Sequence, residues 1–206
     1  MKKILAAVIA AALLLVAAPV SADGHIPSTV ETVVAVSGDP GDFDKDKKDF
    51  DILRELVLLA GLADALGDGE GSLTDITVLA PTDKAFQRLA KDLGYDGKYD
   101  EGAILGFLAG GLTAYADANG TDVITVITSV LLYHVAGEAY TNKELKKADS
   151  VDTLLGVSLD SKNKKFIDGE DDLKNAKLKG VKDVATSNGY IQGIDRVLIP
   201  VPDLVN

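Results

Sequence analysis

The chain has 206 residues, a formal net charge of −11, no cysteine and no tryptophan. The acid excess leaves no basic patch to neutralise phosphates, which excludes nucleic acid and anionic lipid as partners. Without cysteine there is neither a disulfide framework nor a thiol for lipid attachment, so stability must come from an ordinary hydrophobic core.

The first 22 residues read as a signal peptide. Lys2 and Lys3 precede the apolar run Ile4–Ala18, and Pro19-Val20-Ser21-Ala22 sets modest or small side chains before cleavage after Ala22. That run is shorter than the ~20 residues needed to span a bilayer, and no later segment is long and apolar enough to do so. The mature chain is therefore expected to be exported, periplasmic or extracellular, without a membrane span. Losing two lysines takes its charge to −13. Residues 23–27 read as a leader, 28–202 as a single domain and 203–206 as a tail.

In chain order, a short helix is predicted from Ser28 or Thr29 as cap, followed by a Gly-, Pro- and Asp-rich loop over Ser37–Asp49. Phe50–Leu66 repeats apolar residues at helical spacing, interrupted at Gly61. Ile76–Ala80 reads as a strand that Pro81 ends, with Thr82 or Asp83 capping the helix Lys84–Leu93. Glu101–Ala116 predicts a helix with Ile104, Phe107, Leu108, Leu112 and Tyr115 on one face and Leu105, Ala109 and Ala116 on the other. A helix apolar all round should be buried, here against a helix over Val123–Leu132; the alternative is an exposed patch serving a partner or a second copy. The last third holds strand-like runs at Leu154–Asp160, Lys165–Asp168, Lys177–Ala185 and Tyr190–Pro200, with Asn188-Gly189 supplying the positive φ values of a type I′ hairpin. Helices first and clustered antiparallel strands last predict an α+β domain built on a sheet sandwich.

Three stretches, in order, carry a family resemblance. Thr77-Val-Leu-Ala-Pro-Thr-Asp-Lys-Ala-Phe86 is similar to a "TVFAPTDEAF" segment. Leu131-Leu-Tyr-His-Val135 with Tyr140-Thr141 is similar to "LLYHV…YT". Ser187-Asn-Gly-Tyr-Ile191 with Ile194-Asp-Arg-Val-Leu-Ile-Pro200 is similar to "SNGVIHVIDRVLLP". Together they resemble the fasciclin (FAS1) domain over about residues 28–200. The resemblance implies a wedge of two β-sheets with several packed helices. It also implies a secreted or cell-surface protein that mediates adhesion or matrix contact and is not an enzyme. Between Phe86 and Leu131 the chain is longer than the family pattern, which marks a helical insertion at about 95–121.

Chemistry is sparse. His134, one of two histidines, lacks a Gly-x-Ser-x-Gly nucleophile or a zinc-ligand set around it, so it is expected to hydrogen-bond backbone at a helix-to-strand junction. Asp42, Asp44 and Asp46 have the acid spacing of an EF-hand, but Lys47 replaces the turn glycine and Leu53 the bidentate glutamate. No calcium requirement, catalytic residue, metal or cofactor is therefore expected. The candidate partner-binding residues are Tyr133, His134 and Tyr140, from the resemblance, and Ile104, Phe107, Leu108 and Tyr115, from the insertion. The expected partner is a protein or matrix component at the cell surface, with self-association through the inserted helix as a further option. The rival reading is a periplasmic carrier of a small apolar ligand, with the inserted helix as a pocket wall.

Overall fold

The structure is a computed structural model that describes residues 24–200 except Asn163; the expected signal peptide and the tail lie outside the described residues. Among the described residues, six helices and seven strands follow in the order α1 (Thr29–Ser37), α2 (Asp51–Leu59), β1 (Ile76–Pro81), α3 (Asp83–Asp92), α4 (Glu101–Asn119), α5 (Val123–Tyr133), β2 (Val135–Ala136), α6 (Asn142–Leu145), β3 (Ser150–Asp152), β4 (Ser158–Lys162), β5 (Lys165–Ile167), β6 (Val184–Thr186) and β7 (Gly189–Ile194). This is the expected α+β arrangement of packed helices on two sheets.

The larger sheet has the order β2-β1-β7-β6, with β1 and β7 parallel and the outer pairs antiparallel. The smaller is the antiparallel meander β3-β4-β5. Every residue of β1 is buried, as a central strand covered on both faces must be. Alternation divides its side chains between two cores. Ile76, Val78 and Ala80 join Phe50, Ile52, Phe86, Ile127 and Ile191 under the helices. Leu79 faces the other way, with Tyr133, Val151, Leu159, Phe166 and Ile194 between the sheets.

Polar side chains fix the irregular segments. Ser28 and Glu31 close a reciprocal capping box on α1, which supports the cap assigned there. Gly61 takes φ +67° just past α2, but residues beyond it form turns and not a second helical piece. The segment Lys177–Asp183 meets the sheet at a bridge from Leu178 to Ile194 and through hydrogen bonds of Val181 and Asp183 to Gly193 and Gln192, without forming a regular strand. The expected long strand is therefore confined to β6. Residues 154–157 likewise turn before β4 begins. Val197, Leu198 and Ile199 are buried beyond the end of β7 without being strand residues.

The Ser187-Asn188-Gly189 turn departs from the expected type I′ geometry, because Asn188 is not among the positive-φ residues. Its side chain is used instead. Oδ1 accepts from the Thr29 amide at 3.0 Å, and Nδ2 donates to the carbonyls of Leu66, Gly67 and Leu73 at 3.0, 2.9 and 3.3 Å. One buried amide thus satisfies the loop after α2, the start of α1 and the approach to β1. Gly189 is required for closeness: a β-carbon there would overlap the Ile76 carbonyl.

Asn188→Ala should therefore destabilise the domain by about 3 kcal/mol, since several buried groups lose their partner at once. Urea unfolding measures this, and a loss under ~0.5 kcal/mol would show that water replaces the amide.

Candidate functional site

His134 occupies the C-cap of α5, immediately before β2. Its ring is 3% exposed as part of the residue. Nδ1 donates to the Val130 carbonyl at 2.8 Å, and Nε2 accepts from the Leu198 amide at 2.9 Å. These two bonds require the neutral tautomer with hydrogen on Nδ1. Burial lowers the imidazole to a pKa of about 4. A second proton would face the Leu198 N–H, donor against donor. Both nitrogens are thereby committed to backbone.

Its neighbours are equally structural. Tyr133 is buried in the core between the sheets, and burial pushes its hydroxyl up to about 12. Tyr140 is half-buried; its amide donates to the Thr77 hydroxyl at 2.6 Å and its own hydroxyl donates to Glu138 at 2.8 Å. Of these three residues only Tyr140 reaches the surface.

α4 starts from the cap Asp100, whose carboxylate accepts from the Ala103 amide at 2.8 Å, and ends at the left-handed Gly120. Its buried residues are Glu101, Ile104, Leu108 and Ala116. The expectation of burial all round is corrected: one stripe packs on the other helices and the opposite side faces solvent. That is sterically tolerable because the outward positions are mostly Gly and Ala, which bring little apolar area into water. Phe107 is the large exception, 38% exposed and leaning on Tyr95 with ring centroids 5.3 Å apart. Tyr115 is half-buried. Ile104 and Leu108 belong to the main core, so excising the insertion would open that core.

At the start of α4 the structure assembles a group absent from the linear motifs. Carboxylate oxygens of Asp44, Asp49, Asp51 and Glu101 all lie within 4.8 Å of one another. Asp51 opens α2 and Glu101 opens α4, so two helix N-termini converge on these anions, a favourable placement for negative charge. Asp51 accepts from the Asp44 amide at 3.2 Å and from Arg54 at 3.1 Å. Tyr99 donates to Glu101 Oε1, and the Lys47 ammonium rests 4.0 Å from the Tyr99 ring centroid. Behind the group, Asp83 accepts from the amides of Asp51 and Ile52 at 3.2 and 2.9 Å.

That last contact corrects the capping expectation. Thr82 stands at the N-cap of α3 without a side-chain cap bond, and Asp83 caps α2, whose own N-cap Phe50 has no side chain able to do so. The crowding of acids has an electrostatic cost. Burial, then nearby carboxylates, lifts Glu101 to about 7. Asp49 and Asp83 are both raised, burial being the largest cause, and Asp51 is raised by burial against the pull of Arg54. Sequence reading set the loop of Asp44, Asp49 and Asp51 aside because it lacks the EF-hand glycine and glutamate; the missing member is Glu101, far along the chain, and of the Asp42, Asp44 and Asp46 trio only Asp44 takes part.

The family model for the fasciclin domain matches residues 48–100 and 119–200. This covers well over half of the chain, which therefore belongs to the fasciclin domain family. The gap in the match coincides with α4. Among solved structures the chain is similar to a FAS1 domain pair from the insect cell adhesion molecule fasciclin I, at 18% identity and a TM-score of 0.49. The similarity covers 85% of this chain and 52% of that one, so the chain spans about half the length of that structure. No curated protein sequence matches. Among the described residues no helix is long and apolar enough to cross a membrane.

His134→Ala should cost about 1–3 kcal/mol by stranding the Leu198 amide and the Val130 carbonyl. The native imidazole's depressed pKa makes its contribution full above pH ~6.5 and progressively lost as pH falls toward 4. The stability gap between wild type and variant should narrow over that window. Urea titrations at pH 7 and pH 4.5 test this, and a gap that widens on acidification would reverse the assignment.

Proposed function

We propose that the protein is exported and acts as a non-enzymatic adhesion module, with the outer face of α4 as its contact surface. The observation that carries this reading is the chemistry of that face. No Asp, Glu, Lys or Arg occurs between Gly102 and Ala116, although 26% of the chain is charged. A solvent-facing helix side ordinarily carries those charges. Ala103, Gly106, Phe107, Gly110, Gly111 and Ala114 are exposed instead, with open space above the three glycines. A partner backbone can therefore approach closely while Phe107 supplies an apolar anchor.

The fitting partner is an uncharged face of a surface or matrix protein, the same face on a second copy being the homotypic case. Copies of so acidic a chain repel one another over most of their surface, and α4 offers a contact without like charges. Family membership supports the reading, since fasciclin domains typically serve adhesion outside the cell. The committed hydrogen bonding of His134 supports a non-catalytic role for the Tyr-His segment.

The carrier alternative finds less support. Two apolar crevices meet at His134, one of them lined by Leu112 of α4. Their volumes of about 20 and 30 Å³ suit a water molecule or two. A small-molecule site commonly needs roughly 300–1,000 Å³.

Phe107→Glu combined with Ala114→Glu tests the surface. Ala114→Glu should change stability by no more than about 0.5 kcal/mol, and Phe107→Glu, which gives up the contact with Tyr95, by about 0.5–1.5 kcal/mol, so the domain stays folded. Adhesion of protein-coated beads to cells and matrix, together with sedimentation of the free protein, should show wild-type contact and at least about a tenfold loss in the variant. Equal contact by both proteins would move the surface elsewhere. A wild type that neither adheres nor self-associates would overturn the adhesion reading.

A further inference from the structure

The geometry points to a calcium site formed by Asp44, Asp49, Asp51 and Glu101, clamping the first turn of the inserted helix to the loop that precedes α2. The donors are all carboxylate oxygens, the set preferred by hard cations over zinc or copper. Magnesium usually keeps several waters and takes one or two carboxylates, whereas four protein carboxylates around one point suit the larger and more flexible shell of calcium. The four oxygens here lie close enough together to share one ion.

Proximity of acids alone would not establish a site, and a second observation comes from individual atoms. Glu101 is 1% exposed, yet its Oε2 has no hydrogen-bond partner; Oδ1 of Asp49 is also buried without an N–H or hydroxyl donor, the Asp49 carboxyl lying against that of Asp83. Buried carboxylate oxygens ordinarily find a donor or a cation. Among the described residues, the one ion pair made by these four groups is Arg54 with Asp51, and Arg54 is spent further on the carbonyls of Ser37, Gly38 and Asp42. The Lys47 ammonium rests on the face of Tyr99. Three carboxylates therefore converge without a matching positive charge. A divalent ion supplies it, satisfies both stranded oxygens and leaves coordination positions for water.

The location gives the ion a role. Asp44 and Asp49 belong to the loop between α1 and α2, Asp51 to α2 and Glu101 to the first residue of α4. Calcium bound there joins three segments whose acids otherwise repel, and so fixes how the insertion leaves the common domain. This inference does not depend on the adhesion reading.

Isothermal titration of purified mature protein with calcium chloride, after dialysis against chelator, should show one saturable site, with a melting temperature that rises and then saturates. Magnesium chloride should give a much weaker response. Glu101→Gln and Asp49→Asn should each weaken calcium affinity by at least about tenfold, because both remove a charged ligand. In chelator the same variants should melt at or above the wild-type temperature, since each relieves repulsion; the sign of the stability change thus reverses with calcium. Asp49 is only half-buried, so Asp49→Asn carries the test if Glu101→Gln does not fold. Absence of a saturable heat and a melting shift up to millimolar calcium overturns the site. So does a calcium response unchanged in both variants, which would place the ion elsewhere, for instance at the exposed trio His25, Glu31 and Asp68.

Discussion

The parallel pairing of β1 with β7 joins Ile76–Pro81 to Gly189–Ile194 along six consecutive positions, with both faces of the pair covered. Parallel neighbours cannot be joined by a tight turn, so everything between residues 82 and 188 is a connection that must return to this register. Two features hold it. The missing side chain at Gly189 lets the backbones meet beside Ile76, and Asn188 ties the turn to three other carbonyls. The helices pack on one face of the pair and the β3-β4-β5 sheet covers the other. A slip of one residue would exchange the two cores, because alternate β1 side chains belong to different ones.

The polar residues of the family motifs have a common physical task. Each bonds a segment where regular secondary structure stops and buried backbone would otherwise lack a partner. Thr77 donates to the Glu138 carbonyl and accepts from the Tyr140 amide. Gln192 bonds both the Tyr140 carbonyl and Asp183, which holds a left-handed turn. Asp83 caps a helix that lies earlier in the chain, and His134 receives the amide of Leu198 from beyond β7. Such groups resemble catalytic residues in type, being buried and singular, but they are saturated by main chain. Saturation is what separates them from the Asp49 and Glu101 oxygens.

Local features were legible in the sequence wherever the partners were close in the chain. The cap at Ser28, the start of β1, and the helix that follows Pro81 were read from residues adjacent in the chain. The family resemblance extended this to topology. What could not be read were bonds between distant segments. Thr82-Asp83 looks like a cap for the helix it opens, and only the tertiary fold brings Asp83 to α2. Asn188-Gly189 looks like a hairpin turn defined by its dihedrals, and only the neighbouring loops show that the amide group is what the position needs. The Lys177–Asp183 run has strand-like composition, but Gly180 at φ +81° breaks it, so it meets β7 through one bridge and the Val181 carbonyl and not as a continuous ladder. The acid group at α4 is the extreme case, with members separated by up to 57 positions, from Asp44 to Glu101.

That group also explains why the insertion is anchored at its first residue. A helix containing four glycines has little intrinsic stability, so its placement must come from packing and from its ends. Ile104, Leu108 and Ala116 supply packing along one stripe. At the C-terminal end Gly120 closes the helix without a buried side chain. At the N-terminal end Asp100 caps the backbone while Glu101 enters the interior. An apolar residue at position 101 would avoid the desolvation of a carboxylate, with less direct electrostatic cost. Retaining an acid there makes sense when the position must respond to something charged. The rigid β1–β7 frame then fixes α2, α2 fixes Asp51, and the insertion is set relative to both through its first turn. The proposed contact surface and the charged anchor thus occupy the same helix, one on its outer face and the other at its inner end.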